Sequence, residues 1–374
     1  MEKLLTEVCD IQYGYPFDSS KFSESEGIPL IRIRDVTRGY SETFTTEEYN
    51  PEYLVHDGDL LVGMDGEFNI AKWGKTPALL NQRVCRLTPK SAVDKGYLYY
   101  YMPIILKQIE AKTPFVTVKH LSAKELNKAK IPLPPLDEQL RIVAVLDKVS
   151  DLIAKRRQQL DKLDEMVKAR FVEMFGDPVS NPHQWEKVSL SELADVRIGP
   201  FGSLLHKEDY IIGEHPLVNP SHIVDGKIAI DANLTISKEK YDELEPYHLR
   251  IGDVVMGRRG EMGRCAVVQQ AGLLCGTGSL FIRTKGIVTA DYIQKIISFP
   301  TFKRTIEDMA VGQTMPNLNV PIVSNFQIIK PPLQIQEKYY EFVEQTEKIK
   351  TTISRSLEQL ETLKNALLQD FFES

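Results

Sequence analysis

Two hydrophobic patterns alternate along the chain, and each occurs twice. Short apolar runs separated by Gly, Pro and Asn fill residues 1–133 and again residues 178–330, as expected of irregular α+β domains. After each of these regions, apolar residues recur at heptad spacing, which is typical of a long helix with one narrow apolar stripe. The pattern predicts two globular domains, 1–133 and 178–330, and two long helices within residues 134–177 and 331–374.

The two helices are predicted over Asp137–Phe175 and Gln334–Phe372. Their heptad seams contain Leu146, Ile153, Leu160, Val167 and Met174 in the first helix, and Thr346, Ile353, Leu360 and Leu367 in the second, with Ile349 and Leu363 among the residues beside it. A proline pair before each helix favours a helix start, and Gly176 favours the end of the first helix. Such stripes must be covered, either because each helix caps its own domain or because the two helices pair in antiparallel fashion. We favour the pairing, because duplicated halves related by a pseudo-two-fold axis bury both stripes together.

Short motifs recur in the same order in the two halves, which indicates an internal duplication. The matches are Leu5–Asp10 with Leu190–Asp195, Gly58–Gly63 with Gly252–Gly257, Gly66-Glu67 with Gly260-Glu261, and Pro134–Leu136 plus Gln139 with Pro331–Leu333 plus Gln336. Glycine permits positive φ where a hairpin reverses, so Gly66 and Gly260 predict hairpin turns. Asp59 and Asp253 are interpreted as turn-forming residues. The predicted fold class is α+β with a pseudo-two-fold internal repeat.

The composition fits a folded protein in a reducing compartment. Of the 374 residues, 42% are hydrophobic and 26% are charged, which is ordinary for globular domains. Cys9, Cys85, Cys265 and Cys275 lie far apart, so no zinc knuckle or redox pair is indicated. The start of the chain carries no readable export signal, and the apolar window Tyr97–Leu106 is too short to span a membrane. We therefore expect a cytoplasmic protein without membrane association.

Motifs for catalysis are not found in the sequence. It contains no phosphate-binding loop, no G-x-G-x-x-G dinucleotide motif, no H-E-x-x-H and no G-x-S-x-G elbow. Asp65, Glu67 and Lys72 imitate a nuclease set, but a hairpin turn is the preferred interpretation. A zinc site from His206, His215 and His222 with Cys265 or Cys275 has unsuitable ligand spacing. We therefore expect no catalytic residue and no metal site.

The segments around the first long helix carry a family resemblance. Ile131–Val143 (IPLPPLDEQLRIV) and Phe171–Pro178 (FVEMFGDP), together with the duplication, resemble the specificity subunits of type I restriction-modification systems over almost the whole chain. The second copy, Pro331–Glu337, is weaker and has Ile335 where the first copy has Glu138.

The resemblance implies that each globular part is a target-recognition domain for one half of a bipartite site in double-stranded DNA. It also implies that the helices form an antiparallel coiled coil that separates these domains and docks methyltransferase subunits, two in number. Restriction/translocase subunits complete the complex. S-adenosylmethionine, ATP and magnesium then belong to the partner subunits, and this chain carries no cofactor. Two alternatives are a coiled-coil scaffold that does not bind DNA and a self-sufficient nuclease or methyltransferase.

Candidates for DNA contact are polar side chains on turns, because sequence is read by hydrogen bonds to base edges. In the first domain they are Arg32, Arg34 and Arg38, which follow or interrupt the strand-like run Ile28–Val36 with alternate residues facing one side, Lys72 and Lys75 after the Gly66 turn, and Thr117, Lys119 and His120. In the second domain they are Asn219, Ser221, His222, Arg258, Arg259, Gln313, Thr314 and Asn317. The formal net charge of -6 does not favour independent DNA binding, so methyltransferase subunits are expected to supply much of the phosphate contact.

Overall fold

The computed structural model describes residues 2–74, 77–112, 119–201, 204–310 and 317–372. The chain forms two compact units: the first comprises Met1–Gln158 with Ser354–Ser374, and the second comprises Gln159–Ile353. Each long helix therefore contributes one half to each unit. The predicted domain boundaries at 133/134, 177/178 and 330/331 divide the chain by hydrophobic periodicity and stay a prediction.

Among its described residues, the first unit combines short strands with four α-helices, the start of the first long helix and the end of the second. Its strands are Glu2–Leu4, Cys9–Tyr13, Phe22–Ser23, Ile28–Ile31, Phe44–Thr45, Leu54–Val55, Leu60–Gly63, Asn69–Lys72, Ala78–Leu80, Val84–Pro89 and Lys130–Pro132. Its helices are Leu5–Val8, Ile33–Arg38, Lys95–Lys112, Ala123–Lys128 and the first long helix, Leu136–Phe175. A four-stranded antiparallel sheet has Val84–Pro89 between Cys9–Tyr13 and Leu60–Gly63, with Asn69–Lys72 at the edge. A five-stranded sheet includes Ile28–Ile31 parallel to Ala78–Leu80.

The second unit repeats this plan. Its strands are Lys187–Ser189, Ala194–Ile198, Tyr210–Ile211, His215–Val218, Ile223–Val224, Lys227–Ile228, Thr235–Ile236, Val254–Gly257, Cys265–Val267, Leu274–Cys275, Ser279–Thr284 and Gln327–Ile329. Its helices are Leu190–Leu193, Lys238–Glu243, Ala290–Ile297, Pro300–Met309, Val320–Ser324 and the second long helix, Leu333–Phe372. Its four-stranded sheet places Ser279–Thr284 between Ala194–Ile198 and Val254–Gly257, with Cys265–Val267 at the edge.

The two four-stranded sheets have the same strand order and direction, so the internal duplication and the α+β class are confirmed. The repeated aspartates serve the same structural purpose in both. Asp59 Oδ2 accepts hydrogen bonds from His56 N at 3.0 Å and from Arg86 Nη1 at 3.1 Å. Asp253 Oδ2 accepts from Arg250 N at 2.8 Å and from Arg283 Nη2 at 2.6 Å. Each aspartate thus closes a turn and joins it to the central strand of its sheet.

The ends of the long helices agree with the prediction to within one residue. The first begins at Leu136 and ends at Phe175, and the second begins at Leu333 and ends at Phe372. Gly176, directly after the first helix, has φ 75°, a left-handed conformation that glycine adopts without a Cβ clash. Local proline and glycine signals therefore suffice to set these ends.

Burial along the predicted seams is uneven. Leu146, Ile153 and Thr346 are buried, whereas the other seam residues are half-buried: Leu160, Val167, Met174, Ile353, Leu360 and Leu367. Ile349 and Leu363, which the heptad pattern places beside the second seam, are exposed at 50% and 46%. The buried stripe is therefore narrower than the sequence indicates, because residues on its flanks face away from the packed side.

Within each unit the two long helices contact each other in opposite directions. In the first unit, Arg157 Nη2 lies 2.6 Å from Glu361 Oε1, while Phe371 and Phe372 further along pack on the core that contains Leu146. In the second unit, several side chains join the helices. Lys350 Nζ lies 2.8 Å from Asp164 Oδ1, the Arg170 guanidinium lies 5.9 Å from the Phe342 ring, and Phe171, Phe175 and Tyr339 pack in one core. The direction of these contacts is the one predicted for an antiparallel pair.

A buried glutamine ties each long helix to its globular part. Gln139 Oε1 accepts from Asp94 N at 2.8 Å, and its Nε2 donates to the carbonyls of Pro134 and Ala92. Gln336 Oε1 accepts from Thr289 N at 3.1 Å, and its Nε2 donates to Pro331 O at 2.9 Å. The repeated Pro-Pro-Leu motif with its glutamine is thus a structural lock between helix start and domain.

Candidate nucleic-acid interface

Three loops of the first unit meet at one end of its four-stranded sheet. They are the hairpin loop 64–68, the turn Asn81–Arg83 and the segment Lys119–Leu121, which together we call the first loop cluster. Met64 N donates to Arg83 O at 2.9 Å, and Leu121 N donates to Met64 O at 2.7 Å. Gly66, the predicted hairpin glycine, has φ 75° and donates to Lys119 O at 2.9 Å. Backbone hydrogen bonds therefore hold three separate loops together.

The side chains of this cluster form a chain of polar contacts. His120 Nδ1 lies 2.5 Å from Asp65 Oδ1 and 2.9 Å from Arg83 Nη1, which also lies 3.1 Å from His120 Nε2. Lys119 Nζ is paired with Glu110 Oε1 at 3.1 Å, away from the hairpin. The structure thus brings His120 to Arg83, a residue that the sequence argument did not select.

The second unit has an equivalent second loop cluster: the loop 258–264, the turn Gly276–Gly278, the segment Asn317–Leu318 and the turn 219–222. Arg258 N donates to Gly278 O and Leu318 N donates to Arg258 O, both at 3.0 Å, as Met64 and Leu121 do in the first unit. Arg264 Nη1 donates to Pro220 O at 3.2 Å and joins the fourth segment. Asn219, Ser221, Arg258, Arg259 and Asn317 therefore lie in one cluster.

Two adjacent arginines dominate the electrostatics of the second loop cluster. Arg258 is half-buried, its Nε donates to Leu318 O at 2.9 Å, and burial with the neighbouring Arg259 charge lowers its pKa. Glu261 in the same loop is already paired with Arg264 and Lys303, each at 2.9 Å. Among the described residues no carboxylate pairs with Arg258 or Arg259. A guanidinium pair of this kind favours an anionic or acceptor-rich ligand.

The other candidates of this cluster differ in how much of their polar surface is free. Asn219 precedes the short 3-10 helix Pro220–His222. Its side-chain amide packs directly against Gly276, because a Cβ added to that glycine would lie 2.0 Å from Asn219 Oδ1. His222 Nδ1 lies 2.8 Å from Leu217 O, whereas Ser221 is exposed. Asn317 Oδ1 is buried without a hydrogen-bond partner in the part of the chain that the structure describes.

The strand-like run predicted over Ile28–Val36 is a strand only in its first half. The strand ends at Ile31, and a helix follows over Ile33–Arg38 because Asp35 Oδ2 accepts from Arg32 N at 2.9 Å and Gly39, with φ 72°, ends the helix. The three arginines are therefore not presented on alternate positions of a strand. Arg32 alone follows the strand end directly, where the parallel register Ile31 with Leu80 brings it to the edge that carries Asn81.

Arg34 and Arg38 are partly neutralised by acidic neighbours. Arg34 Nε lies 3.8 Å from Asp35 Oδ1, and Arg38 Nη1 lies 3.5 Å from Glu42 Oε2. Exposed pairs of this kind contribute little to stability, but they reduce the positive potential offered to DNA.

Lys72 does not lie at the Gly66 turn. The register pairs it with Leu60 at the other end of the hairpin, and its ammonium lies 4.8 Å from the Tyr99 ring centroid. Lys72 follows Gly66 closely along the chain, but strand pairing carries it away from the loop. For the same reason Asp65 and Lys72 are not assembled as a nuclease set.

Four of the candidates for DNA contact lie outside the described residues: Lys75, Thr117, Gln313 and Thr314.

The metal site considered from the sequence has no support in the geometry. Among the described residues no group of three His, Cys, Asp or Glu side chains could hold a metal ion. His215 Nδ1 lies 3.1 Å from Gly272 O, and the four cysteines are buried free thiols. Burial raises the pKa of Cys9 and Cys265 to about 12, so these thiols are core residues rather than thiolate ligands.

The duplicated fold with equivalent loop clusters has counterparts among known proteins. Residues 1–164 and 182–362 match the family described as Type I restriction modification DNA specificity domain, which accounts for most of the chain. The chain belongs to this family. The specificity subunit of the type I restriction enzyme EcoBI from Escherichia coli is 26% identical over 400 residues, covering 98% of this chain and 84% of the relative. The MjaVIII specificity subunit from Methanocaldococcus jannaschii is 21% identical over 376 residues, covering 91% and 87%.

Solved structures show the same fold. The type I restriction-modification S subunit from M. genitalium superimposes with a TM-score of 0.57 at 14% identity, covering 100% of this chain and 96% of its own. A chain from a structure of type I system assembly gives a TM-score of 0.59 at 18% identity, covering 99% and 96%. The prediction of a type I DNA specificity subunit is thus confirmed, and the scaffold and enzyme alternatives find no support. In the described ranges no helix is long and apolar enough to cross a membrane.

Proposed function

We propose that this specificity subunit reads a bipartite target in double-stranded DNA, with one loop cluster for each half-site. The observation that carries the proposal is that both clusters have two equivalent backbone hydrogen bonds but carry different side chains. Met64 and Asp65 in the first hairpin loop stand where Arg258 and Arg259 stand in the second. A common scaffold with different polar residues reads different base sequences in the same manner.

The linked arrangement supports two half-sites rather than one. Once one domain binds its half-site, the second contact becomes effectively intramolecular, so two modest interactions combine into one strong interaction. Each domain is joined to both long helices through its buried glutamine lock and its core, which gives each loop cluster a rigid support. The helices are proposed to keep the two half-sites at a fixed separation.

The long helices are the proposed docking surface for methyltransferase subunits. Their outward positions carry apolar side chains that are 37% to 51% exposed, among them Leu140, Val145 and Leu152 in the first unit and Met166 and Val172 in the second. Docking of a protein partner on these helices would remove this apolar surface from water. Two methyltransferase subunits fit the duplication, and restriction/translocase subunits would join them. S-adenosylmethionine, ATP and magnesium would be bound by these partners.

The division of labour is tested with purified components. We expect the isolated chain to neither methylate nor cleave DNA when S-adenosylmethionine, ATP and magnesium are present. Methylation should start on addition of methyltransferase subunits, and ATP-dependent cleavage should require a restriction/translocase subunit as well. Incorporation of labelled methyl groups and gel analysis of the DNA provide the measurement. Turnover by the chain alone would refute the proposal.

A charged substitution at Leu152 tests whether methyltransferase subunits dock on the exposed apolar positions of the first long helix. Leu152→Glu places a carboxylate on an exposed apolar position, where it costs the folded chain little but must be desolvated on docking. We expect methyltransferase binding to weaken at least tenfold, measured by isothermal titration calorimetry, with an unchanged melting temperature. Gln158→Glu is the control, because it adds the same charge to another exposed position of that helix and unit. Equal affinities of the two variants would show that docking lies elsewhere.

A further inference from the structure

Arg83 has an unusual backbone conformation for its residue type. It ends the turn Asn81–Arg83 with φ 72°, in the left-handed region that favours glycine and, to a lesser degree, asparagine and aspartate. An arginine gains nothing from this conformation and pays conformational energy for it. Strained residues of this kind persist where the surrounding structure holds them for a purpose, so the position requires an explanation.

The second domain shows what the turn alone requires. Val84 and Ser279 begin equivalent strands, so Gly278 is the counterpart of Arg83. Both residues accept a backbone hydrogen bond from the residue after the hairpin strand, Met64 in one domain and Arg258 in the other. Gly278 makes this connection without a positive φ, so the connection itself does not require the left-handed conformation of Arg83. The side chain of Arg83 is therefore additional to the fold of the turn.

The guanidinium of Arg83 is held from one side. His120 Nδ1 lies 2.5 Å from Asp65 Oδ1, and Arg83 Nη1 lies 2.9 Å from His120 Nδ1 and 3.1 Å from His120 Nε2. Asp65 Oδ2 lies 3.8 Å from Arg83 Nε. The Arg83 side chain nevertheless remains 50% exposed, and its Nη2 has no hydrogen-bond partner among the described residues. A fixed but accessible guanidinium is suited to recognition of a planar acceptor pair.

The two domains place arginine on different loops of the same cluster. In the second domain Arg258 and Arg259 come from the hairpin loop and the adjoining turn ends in Gly278. In the first domain the hairpin carries Met64 and Asp65, and the arginine comes from the turn. The position of the arginine therefore differs between the two domains, whereas the backbone hydrogen bonds that join the loops are the same. This difference is expected if each domain uses an arginine to contact DNA but recognises a different base sequence.

We propose that Arg83 is the residue with which the first domain reads a guanine in its half-site, and that Asp65 and His120 position its guanidinium. The proposal rests on the function proposed above. Guanine is the base that presents two acceptors, O6 and N7, to the major groove, and arginine is their usual bidentate partner. Asp65 and His120 touch no base in this scheme and act only through Arg83.

The test uses the complete subunit assembled with methyltransferase subunits and the mapped methylated word as a readout. Arg83→Gly relieves the strained backbone, so its melting temperature should equal or exceed that of the natural chain. One G·C pair of the first half-word should become degenerate, with methylation of the cognate duplex slowed roughly 5- to 150-fold, the range of one bidentate contact. Arg83→Lys keeps the charge and should lose the same discrimination. The second half-word should not change.

Variants of Asp65 and His120 distinguish a role in positioning the Arg83 guanidinium from a purely structural role. Asp65→Asn and His120→Ala should lower the discrimination between the G·C duplex and its substituted versions, whereas His120→Gln, which retains a donor and an acceptor, should restore part of it. Lys107→Ala, which removes an exposed charge on the helix Lys95–Lys112 of the same domain, serves as the matched control and should leave both half-words intact.

The inference fails if Arg83→Gly and Arg83→Lys methylate the original first half-word at the natural rate. It also fails if the relaxed position falls in the second half-word. The first result leaves the assignment of one half-site to each domain intact, because that assignment is tested by exchange of whole domains. The second result would count against that assignment as well.

Discussion

Exchange of residues 178–330 for the corresponding domain of another family member should change one half of the methylated target and leave the other half as it was. The replaced segment contains the whole second loop cluster and the strands that support it. Phe171, Phe175 and Tyr339 of the long helices pack into its core, with Tyr292 of the domain against Phe175 at a ring distance of 5.3 Å. A donor domain with an aromatic residue at the position of Tyr292 should therefore graft with least loss of stability.

Sequencing of methylated DNA from cells that carry the exchanged chain provides the measurement. The reciprocal exchange of residues 1–133 is the control, and it should change the opposite half of the word. A graft that alters both halves, or neither, would contradict the assignment of one half-site to each domain.

Ile153→Asp should unfold or severely destabilise the first unit. Ile153 is 8% exposed on the packed side of the first long helix, and an unpaired carboxylate there costs several kcal/mol, a large part of the stability of a typical domain. Leu360→Asp should cost less, because Leu360 is half-buried and its carboxylate can reach water. Urea denaturation followed by circular dichroism measures the difference.

Lys155→Asp is the matched control for this helix, because Lys155 is exposed two positions further along it. Its free energy of unfolding should lie within about 0.5 kcal/mol of that of the natural chain. Methyltransferase affinity should fall with stability in Ile153→Asp and remain normal in the control. Equal stability of Ile153→Asp and Lys155→Asp would show that the predicted seam does not pack.

Local signals explain the parts of the fold that the sequence predicts well. Heptad spacing, the proline pairs and Gly176 act within a few residues, and the two long helices begin and end within one residue of the predicted positions. Gly66 likewise marks its hairpin, because positive φ is a property of the residue itself. The Ile33–Arg38 helix was missed because the cap from Asp35 outweighs the β-like pattern before it.

The candidate interface depends on contacts between distant segments and is therefore less predictable. Lys72 follows Gly66 closely in sequence, yet strand register moves it to the far end of the hairpin. Arg83 carries no motif, and only the pairing of its turn with the hairpin loop and with His120 reveals it. The surroundings of Arg83 are formed by three loops that are distant in sequence. Its role therefore cannot be predicted from residue spacing within any one loop.

The most direct test of the central claim is a genome-wide map of methylated bases, with and without the gene for this chain. The account predicts one bipartite methylated word, with two defined halves separated by an unread gap, that disappears on deletion and returns when the full chain is supplied. An unchanged methylation pattern after deletion, or a lost word that is continuous rather than bipartite, would contradict it.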